Sequence, residues 1–250
     1  MKKLLYFGIA VLFCLSYQSC KKDDKTPIEG NPYEKFRIKQ LNKGGTKVAE
    51  FIYDNTNKLT LYKNPAFTVT YEYNASGKIS KYTLQIGNVQ GVTEFTYDSN
   101  GILQSYVIVG SSKATFSYKE GKLTQIVKNN LDPNNSLIST TSYKYFPVSN
   151  GEQKISTIEV MAGVATAIST TEIYAADQID PNPLKLVSGG TPIISPFMIK
   201  SSNVEGASST PNYTITYSTD ADGKITSYEQ KYPDKPADNA IYTYIYEAKQ

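Results

Sequence analysis

The chain predicts an all-β fold: an antiparallel meander of repeated hairpins, curled into a sheet or an open barrel, with an irregular segment near 161–209. Three observations carry this. A short unit of Tyr, Asp or Asn, two variable residues, Gly, one more residue and Leu or Ile recurs along the chain. The flanks of each copy alternate apolar and polar with the period of a half-buried strand. Tyrosine, which packs well on a pleated half-wet surface, supplies 21 of the 250 residues. One hairpin per ~20 residues gives roughly a dozen strands of ordinary length.

The copies appear in order. Tyr53-Asp54-Asn55-Thr56-Asn57 leads to Leu59 and Tyr62; Tyr73-Asn74-Ala75-Ser76-Gly77 leads to Ile79 and Tyr82; Tyr97-Asp98-Ser99-Asn100-Gly101 leads to Leu103 and Tyr106. Tyr118 to Leu123 is one residue shorter, and Tyr217 to Tyr228 is two longer. Asp or Asn after the tyrosine accepts backbone N–H groups of a type I turn. Gly closing the turn takes positive φ without steric cost, and Asn57 is the best non-Gly substitute. The anchor tyrosines Tyr53, Tyr73, Tyr97, Tyr118 and Tyr217 read as packing residues. The second tyrosines, Tyr62, Tyr82, Tyr106 and Tyr228, stand three residues after the Leu or Ile. Strict alternation puts them on the opposite face, so they are expected as an exposed ladder and as the candidate binding residues. Leu103 and Val107 on one face, with Tyr106 and Ile108 on the other, suggest that part of the sheet is covered on both sides.

From Met161 to Ser209 the repeat lapses. Val164 to Tyr174 is a possible strand. Asp177 to Leu184 reads as a Pro-rich loop, and Pro192 to Lys200 as a short helix or an apolar plug. The segment is expected to cap the sheet, as repeat arrays require.

Residues 1–19 read as an export signal: Lys2 and Lys3, then an apolar run from Leu4 to Leu15 that is short of the ~20 residues needed to span a bilayer as a helix. Ser19-Cys20 fits a bacterial lipoprotein cleavage site, making Cys20 the expected lipidation site. Tyr17 and Gln18 depart from the commonest form of that box. Residues 20–32 then form a flexible tether, and 33–250 a single β domain. Of the two cysteines, Cys14 lies in the removed segment, so the mature domain has no disulfide and depends on its core.

Composition excludes several chemistries. With no histidine and no mature thiol, a Ser-His-Asp triad and an ordinary zinc site are absent. The formal net charge is +3, of which Lys2 and Lys3 supply two, so neither nucleic acid nor anionic lipid is strongly attracted. The metal candidate is weak: Asp220, Asp222 and Glu229 fall on calcium-loop positions, but Ser218 occupies the first ligand position and the flanks alternate like strands. Glu50, Glu72, Glu94, Glu159 and Glu172 are the strand-borne acids that a glycosidase pair would need, and all fit the polar face of an alternating strand. No cofactor is expected, and the domain reads as non-enzymatic.

The Tyr-Asp-x-x-Gly-x-Leu units resemble the YD repeats of RHS-type proteins. Together with the leader and the Asp180-Pro181-Asn182-Pro183-Leu184 loop, they resemble uncharacterised YD-repeat-like lipoproteins of the Bacteroidota. Lys21-Lys22-Asp23-Asp24 resembles the surface-export signal of lipoproteins in that group. The resemblance implies an antiparallel β architecture and an outer-membrane lipoprotein exposed at the cell surface, with a periplasm-facing position as the alternative. It implies no activity. The expected function is partner binding, to a protein or other macromolecule, through a Tyr-rich sheet; the alternative is a glycan-binding accessory lipoprotein of a nutrient-uptake system.

Overall fold

The computed structural model describes residues 33–163, 167–181, 197–205 and 211–250, and for residues 177 and 178 the backbone alone. Among these residues the chain forms sixteen strands and no α-helix. The first eight are β1 (Phe36–Lys43), β2 (Thr46–Tyr53), β3 (Leu59–Lys63), β4 (Thr68–Tyr73), β5 (Ile79–Ile86), β6 (Val89–Tyr97), β7 (Leu103–Ile108) and β8 (Ser112–Lys119). The rest are β9 (Lys122–Leu131), β10 (Leu137–Tyr145), β11 (Glu152–Met161), β12 (Ala167–Ile179), β13 (Phe197–Glu205), β14 (Tyr213–Thr219), β15 (Ile225–Lys231) and β16 (Ala240–Ala248). Every strand pairs antiparallel with its sequence neighbours, and β1 pairs with β16, so the meander closes into a barrel.

The expected all-β meander is observed, with closure in place of an open edge and more strands than a count of repeats suggests. Closure abolishes the unpaired edges that an open sheet would expose. The β1–β16 ladder runs from Phe36–Ala248 to Lys43–Tyr242. Arg37 locks it: its Nε donates to Glu247 Oε1 at 2.7 Å and its Nη1 to Asn57 Oδ1 at 2.7 Å. The guanidinium carbon also lies 4.4 Å from the Tyr53 ring centroid. Asn57 Nδ2 donates to the Gln250 carbonyl at 2.9 Å. Asn57 (φ 65°) therefore does more than tolerate the left-handed conformation that Gly77 (φ 75°) adopts in the next copy. Its amide ties the first turn to both strands of the seam, at Arg37 and at Gln250.

The segment 161–209 is less irregular than the sequence suggests. Strands β12 and β13 run through it, and Phe197–Lys200 begins β13 where a helix or plug was expected. Residues 164–166, 182–196 and 206–210 lie outside the described residues; of the expected proline-rich loop from Asp177 to Leu184, residues 177–179 are the end of β12 and 182–184 are among those not described. The possible strand from Val164 to Tyr174 is observed as β12, which runs on to Ile179; its alternation is weak because Glu172 faces the interior beside Tyr174, whose hydroxyl donates to Glu172 Oε2 at 2.8 Å. The β13–β14 ladder is the shortest, limited to Ser201–Thr214 and Ser202–Tyr213. Asn212 Oδ1 extends that seam by accepting the Val204 N–H at 2.7 Å.

One local device decides which face each side chain takes. In the β4–β5 hairpin Tyr71 opposes Tyr82 and Glu72 opposes Lys81, but Tyr73 opposes Ile79, leaving Ser80 as an extra residue. That β-bulge flips the parity of the outgoing strand, so Ile79 and Tyr82 share the interior face although three residues apart. The same shift recurs in β2–β3, β6–β7, β8–β9 and β14–β15. The extra residue bonds back across the hairpin: Thr60 Oγ1 to the Ile52 carbonyl, Ser80 Oγ to Glu72, Thr124 Oγ1 to Ser117 and Thr226 Oγ1 to Ser218.

The bulge splays neighbouring hairpins apart at the turn end, and the anchor tyrosines bridge the gap. The β3–β4 ladder stops at Leu61–Thr70, short of Leu59. Tyr73 Oη donates to the Leu59 carbonyl at 2.8 Å instead. Tyr53 does the same to Ile38, Tyr97 to Ile79 and Tyr118 to Leu103, at 2.8–2.9 Å. Tyr217 donates to Ile199, and Tyr246 to Ile225 at 2.5 Å. Each staple satisfies a carbonyl that the bulge would otherwise leave without a ladder partner.

Inside, an aromatic row crosses β4 to β8: Tyr71, Tyr82, Phe95, Tyr106 and Phe116, with successive ring centroids 5.8–6.4 Å apart. Ile38, Ile126, Ile155 and Ile225 are fully buried around it. Toward the far end, opposite the Tyr-Asp turns, the interior becomes polar. Asn130 Nδ2 donates to Ser139 Oγ at 2.7 Å, and Ser139 Oγ donates to Glu159 Oε1 at 3.0 Å. Burial lowers the pKa of Lys128, partly offset by the nearby Glu159 charge.

Candidate functional site

The exposed tyrosine ladder is not formed. Tyr82 and Tyr106 are 6% and 1% exposed, and Tyr62 and Tyr228 are half-buried against the interior. Tyr62 packs edge-on to Phe51 at 5.3 Å, and Tyr228 stacks on Tyr242 at 4.6 Å. The bulge is the reason, since strict alternation puts these rings outside and one extra residue returns them to the core. It also removes the need for a second cover over the sheet: Leu103 and Tyr106 are both interior, and Val107 is 38% exposed on the outer face.

The calcium candidates do not converge. Asp220 Oδ1 accepts the backbone N–H groups of Asp222 and Lys224, and its Oδ2 pairs with Lys224 Nζ at 3.0 Å. The Lys224 side chain, followed by the backbone bonds, holds the Asp220 carboxyl below its usual pKa. Asp54 caps its turn in the same way, accepting from Thr56 and Lys58. Glu229 lies on β15, paired with Lys231 at 3.0 Å. Among the described residues no three acidic, Cys or His side chains gather around a common point.

The strand-borne acids separate into two sets. Glu50 and Glu72 lie outside, paired with Lys47 and Lys81, and Glu94 opposes Lys81 across β5–β6. Glu159 and Glu172, expected on the polar outer face, point inward instead. Burial raises the Glu172 pKa, partly offset by the hydrogen bond from Tyr174. Each inward acid is occupied by its own hydroxyl partner. Cys20 and Lys21, Lys22, Asp23 and Asp24 lie outside the described residues.

Two features escape the sequence reading, and both belong to the far end. The first is a rim of exposed apolar side chains on successive hairpin tips. Ile86 and Val89 (50% and 71% exposed) face Val109 (58%), followed by Leu137, Ile138, Val160 and Met161 (40–50%). Main-chain bonds hold the tips together: Val109 N–H to the Val92 carbonyl, Leu131 to Ser111 and Ala162 to Ile138. Isolated exposed hydrophobics are ordinary, but a row of them at one end marks a contact surface.

The second is an open hollow of about 450 Å³ between the β1–β2 tip, the start of β14 and the β15–β16 loop. Tyr232, Tyr242, Lys43, Lys235, Asp238 and Asn239 line it. The short 3-10 turn Pro236–Asp238 shapes the loop, and Asn239 Oδ1 accepts the Tyr232 N–H at 2.8 Å. Tyr232 packs edge-on to Tyr213 at 6.0 Å, while Tyr242 stacks on Tyr228. Lys43 Nζ lies 5.7 Å from the Tyr242 centroid. Burial, then the facing Tyr242 and Asp238, raises the Tyr232 pKa, so these three groups share one space. No pattern along the chain signals this hollow, because it joins residues from the two ends of the sequence.

No protein-family model matches the chain, and no curated protein matches significantly. Among solved structures, the crystal structure of TcdB2-TccC3-TEV aligns with a TM-score of 0.33 and 16% identity, over 79% of this chain and 9% of that one. The crystal structure of TcdB2-TccC3-Cdc42 aligns with a TM-score of 0.30 and 11% identity, over 80% of this chain and 14% of that one. The chain thus spans a small fraction of either structure's length. Its own geometry is that of an all-β, closed antiparallel barrel built from Tyr-Asp hairpins.

Proposed function

We propose that the protein is a non-enzymatic, surface-anchored lipoprotein of the outer membrane, of the kind found in the Bacteroidota, whose barrel binds a protein partner through its far end. The observation that carries this is the apolar rim from Ile86 to Met161 on the end opposite Tyr33. Tyr33 is the first described residue and is seated at the turn end, where its hydroxyl accepts the Ile225 N–H at 2.9 Å and its ring stacks on Tyr246. An anchor at Cys20 therefore joins the barrel at the turn end and leaves the rim pointing away from the membrane. Thirteen tether residues extend at most ~45 Å, enough to clear a surface. The partner meets the rim and not the tyrosines, which the fold spends on its core.

A photo-crosslinking residue at Val89 on intact cells should give one adduct of defined mass, and the same residue at Thr56 on the turn end should give none. No adduct, or the same adduct from both sites, overturns the proposal. Replacing Cys20 with Ala should release the protein from the membrane fraction; retention there removes the lipoprotein part. A second reading, glycan binding, is favoured by the Tyr232–Tyr242 hollow.

A further inference from the structure

We infer that the far-end hollow is a binding site for a carboxylate-bearing saccharide, held between Tyr232 and Tyr242 with its acid group on Lys43 and Lys235. This rests on the glycan reading and adds to it the charge of the ligand.

The hollow, at about 450 Å³, lies within the ~300–1,000 Å³ range of ligand sites and is too small for a folded partner. Its walls are two tyrosines whose backs are already supported, by Tyr213 and Tyr228. Rings braced in this way lose little freedom when a ligand lies against them. A pyranose presents polarised C–H bonds to the negative face of an aromatic ring, and its hydroxyls need partners at the edge. Those partners are present. Asn239 has its oxygen engaged by the Tyr232 N–H, which turns its amide N–H groups outward. Asp238 and the two tyrosines, which carry further hydrogen-bonding groups, line the same hollow.

The charge argument is separate. At the turn end Lys224 has both a carboxylate and a ring partner, in Asp220 and Phe36. Among the described residues Lys43 and Lys235 form no ion pair, and Lys43 Nζ lies 5.7 Å from the Tyr242 ring centroid. An exposed ammonium over a ring is weakly held, so a ligand carboxylate displaces that contact at little cost. Two ammonium groups against one carboxylate, Asp238, leave the hollow with an excess positive charge. A neutral sugar uses the rings and leaves the lysines idle; a uronate uses both.

The test is calorimetric titration of the purified protein with trigalacturonate, a hyaluronan tetrasaccharide and their fully methyl-esterified counterparts, at low and high salt. At least one uronate saccharide should bind. Its ester, which keeps the rings and loses the charge, should bind about fivefold more weakly, as should the acid form at high salt. The Lys43→Met/Lys235→Met variant should bind acid and ester equally, with an unchanged melting temperature because both side chains are exposed. Free galacturonic acid binding as tightly as the trimer assigns the site to a sugar acid; weaker binding assigns it to a polymer. Equal binding of acid and ester by the wild type overturns the charge inference and leaves the glycan reading standing. No binding by any of these saccharides overturns both.

Discussion

The two ends of this barrel are built by different rules. At the turn end a short repeat supplies the same parts in most hairpins: an Asp or Asn cap in β2–β3, β4–β5, β6–β7 and β14–β15, a left-handed residue, a bulge and a tyrosine staple to the neighbouring hairpin. At the far end the β9–β10 tip repeats the cap, with Asp132 accepting from Asn134 and Ser136 and Asn135 at φ 63°, while the β1–β2, β5–β6 and β7–β8 tips carry no Asp. There the interior is polar and the rim is apolar and exposed. The contrast teaches where repetition is needed. Bulges open most hairpins at the turn end, and tyrosine staples close those openings. Nothing constrains the opposite tips in that way, so they are free to carry contacts with other molecules.

High pH should break the comparison most severely. Burial pushes Tyr73 up to about 12 and raises Tyr53, Tyr71, Tyr217, Tyr244 and Tyr246 above the ordinary tyrosine value. Unfolded tyrosine ionises near ~10. A raised folded-state value means that the fold holds the phenol proton more tightly, so this stability is intact below pH ~10 and is lost as pH rises through about 12. Phenolate absorbance and loss of β circular dichroism should therefore appear in one cooperative step. Ionisation of the staple tyrosines Tyr53, Tyr73, Tyr217 and Tyr246 near ~10 with the fold intact would contradict the packing of the turn end.

Tyr106→Ala should come next. The ring is 1% exposed in the middle of the aromatic row, and its loss should cost about 3–5 kcal/mol in urea unfolding. Tyr73→Phe keeps the ring and removes the staple, leaving the Leu59 carbonyl unmatched, for about 1–2 kcal/mol. If Tyr73→Phe is neutral, the staples are incidental and the turn end is held by packing alone. The smallest effect belongs to the rim: Val89→Lys, at a side chain 71% exposed, should change stability by less than ~0.5 kcal/mol. A large loss there would show that the rim is part of the scaffold.

Much of the fold was legible, and the failures share one cause. Asp54, Asp98, Gly77 and Gly101 announce turns because their chemistry is local, a side-chain oxygen or a glycine acting within the turn itself. Tyr62, Tyr82, Tyr106 and Tyr228 were assigned to the wrong face because a β-bulge changes parity, and a Ser or Thr in an outgoing strand does not declare that it is the extra residue. Strand β12 was blurred because Glu172 and Thr170 face inward, so the usual apolar alternation is missing. The far-end hollow was invisible for another reason: Lys43 and Tyr242 meet only because β1 pairs with β16.

The sequence by itself determined the hairpins, their turn chemistry and the absence of histidine chemistry, since each depends on composition or on residues within reach of one another along the chain. The tertiary structure decided what no local pattern contains. It decided that the meander closes through Arg37, Glu247 and Asn57, that the repeat tyrosines are spent on staples and core, and that the exposed rim and the lysine-bearing hollow lie at the end opposite Tyr33. Those outcomes depend on register and closure, which bring together side chains some 200 positions apart, as the Arg37–Glu247 pair does.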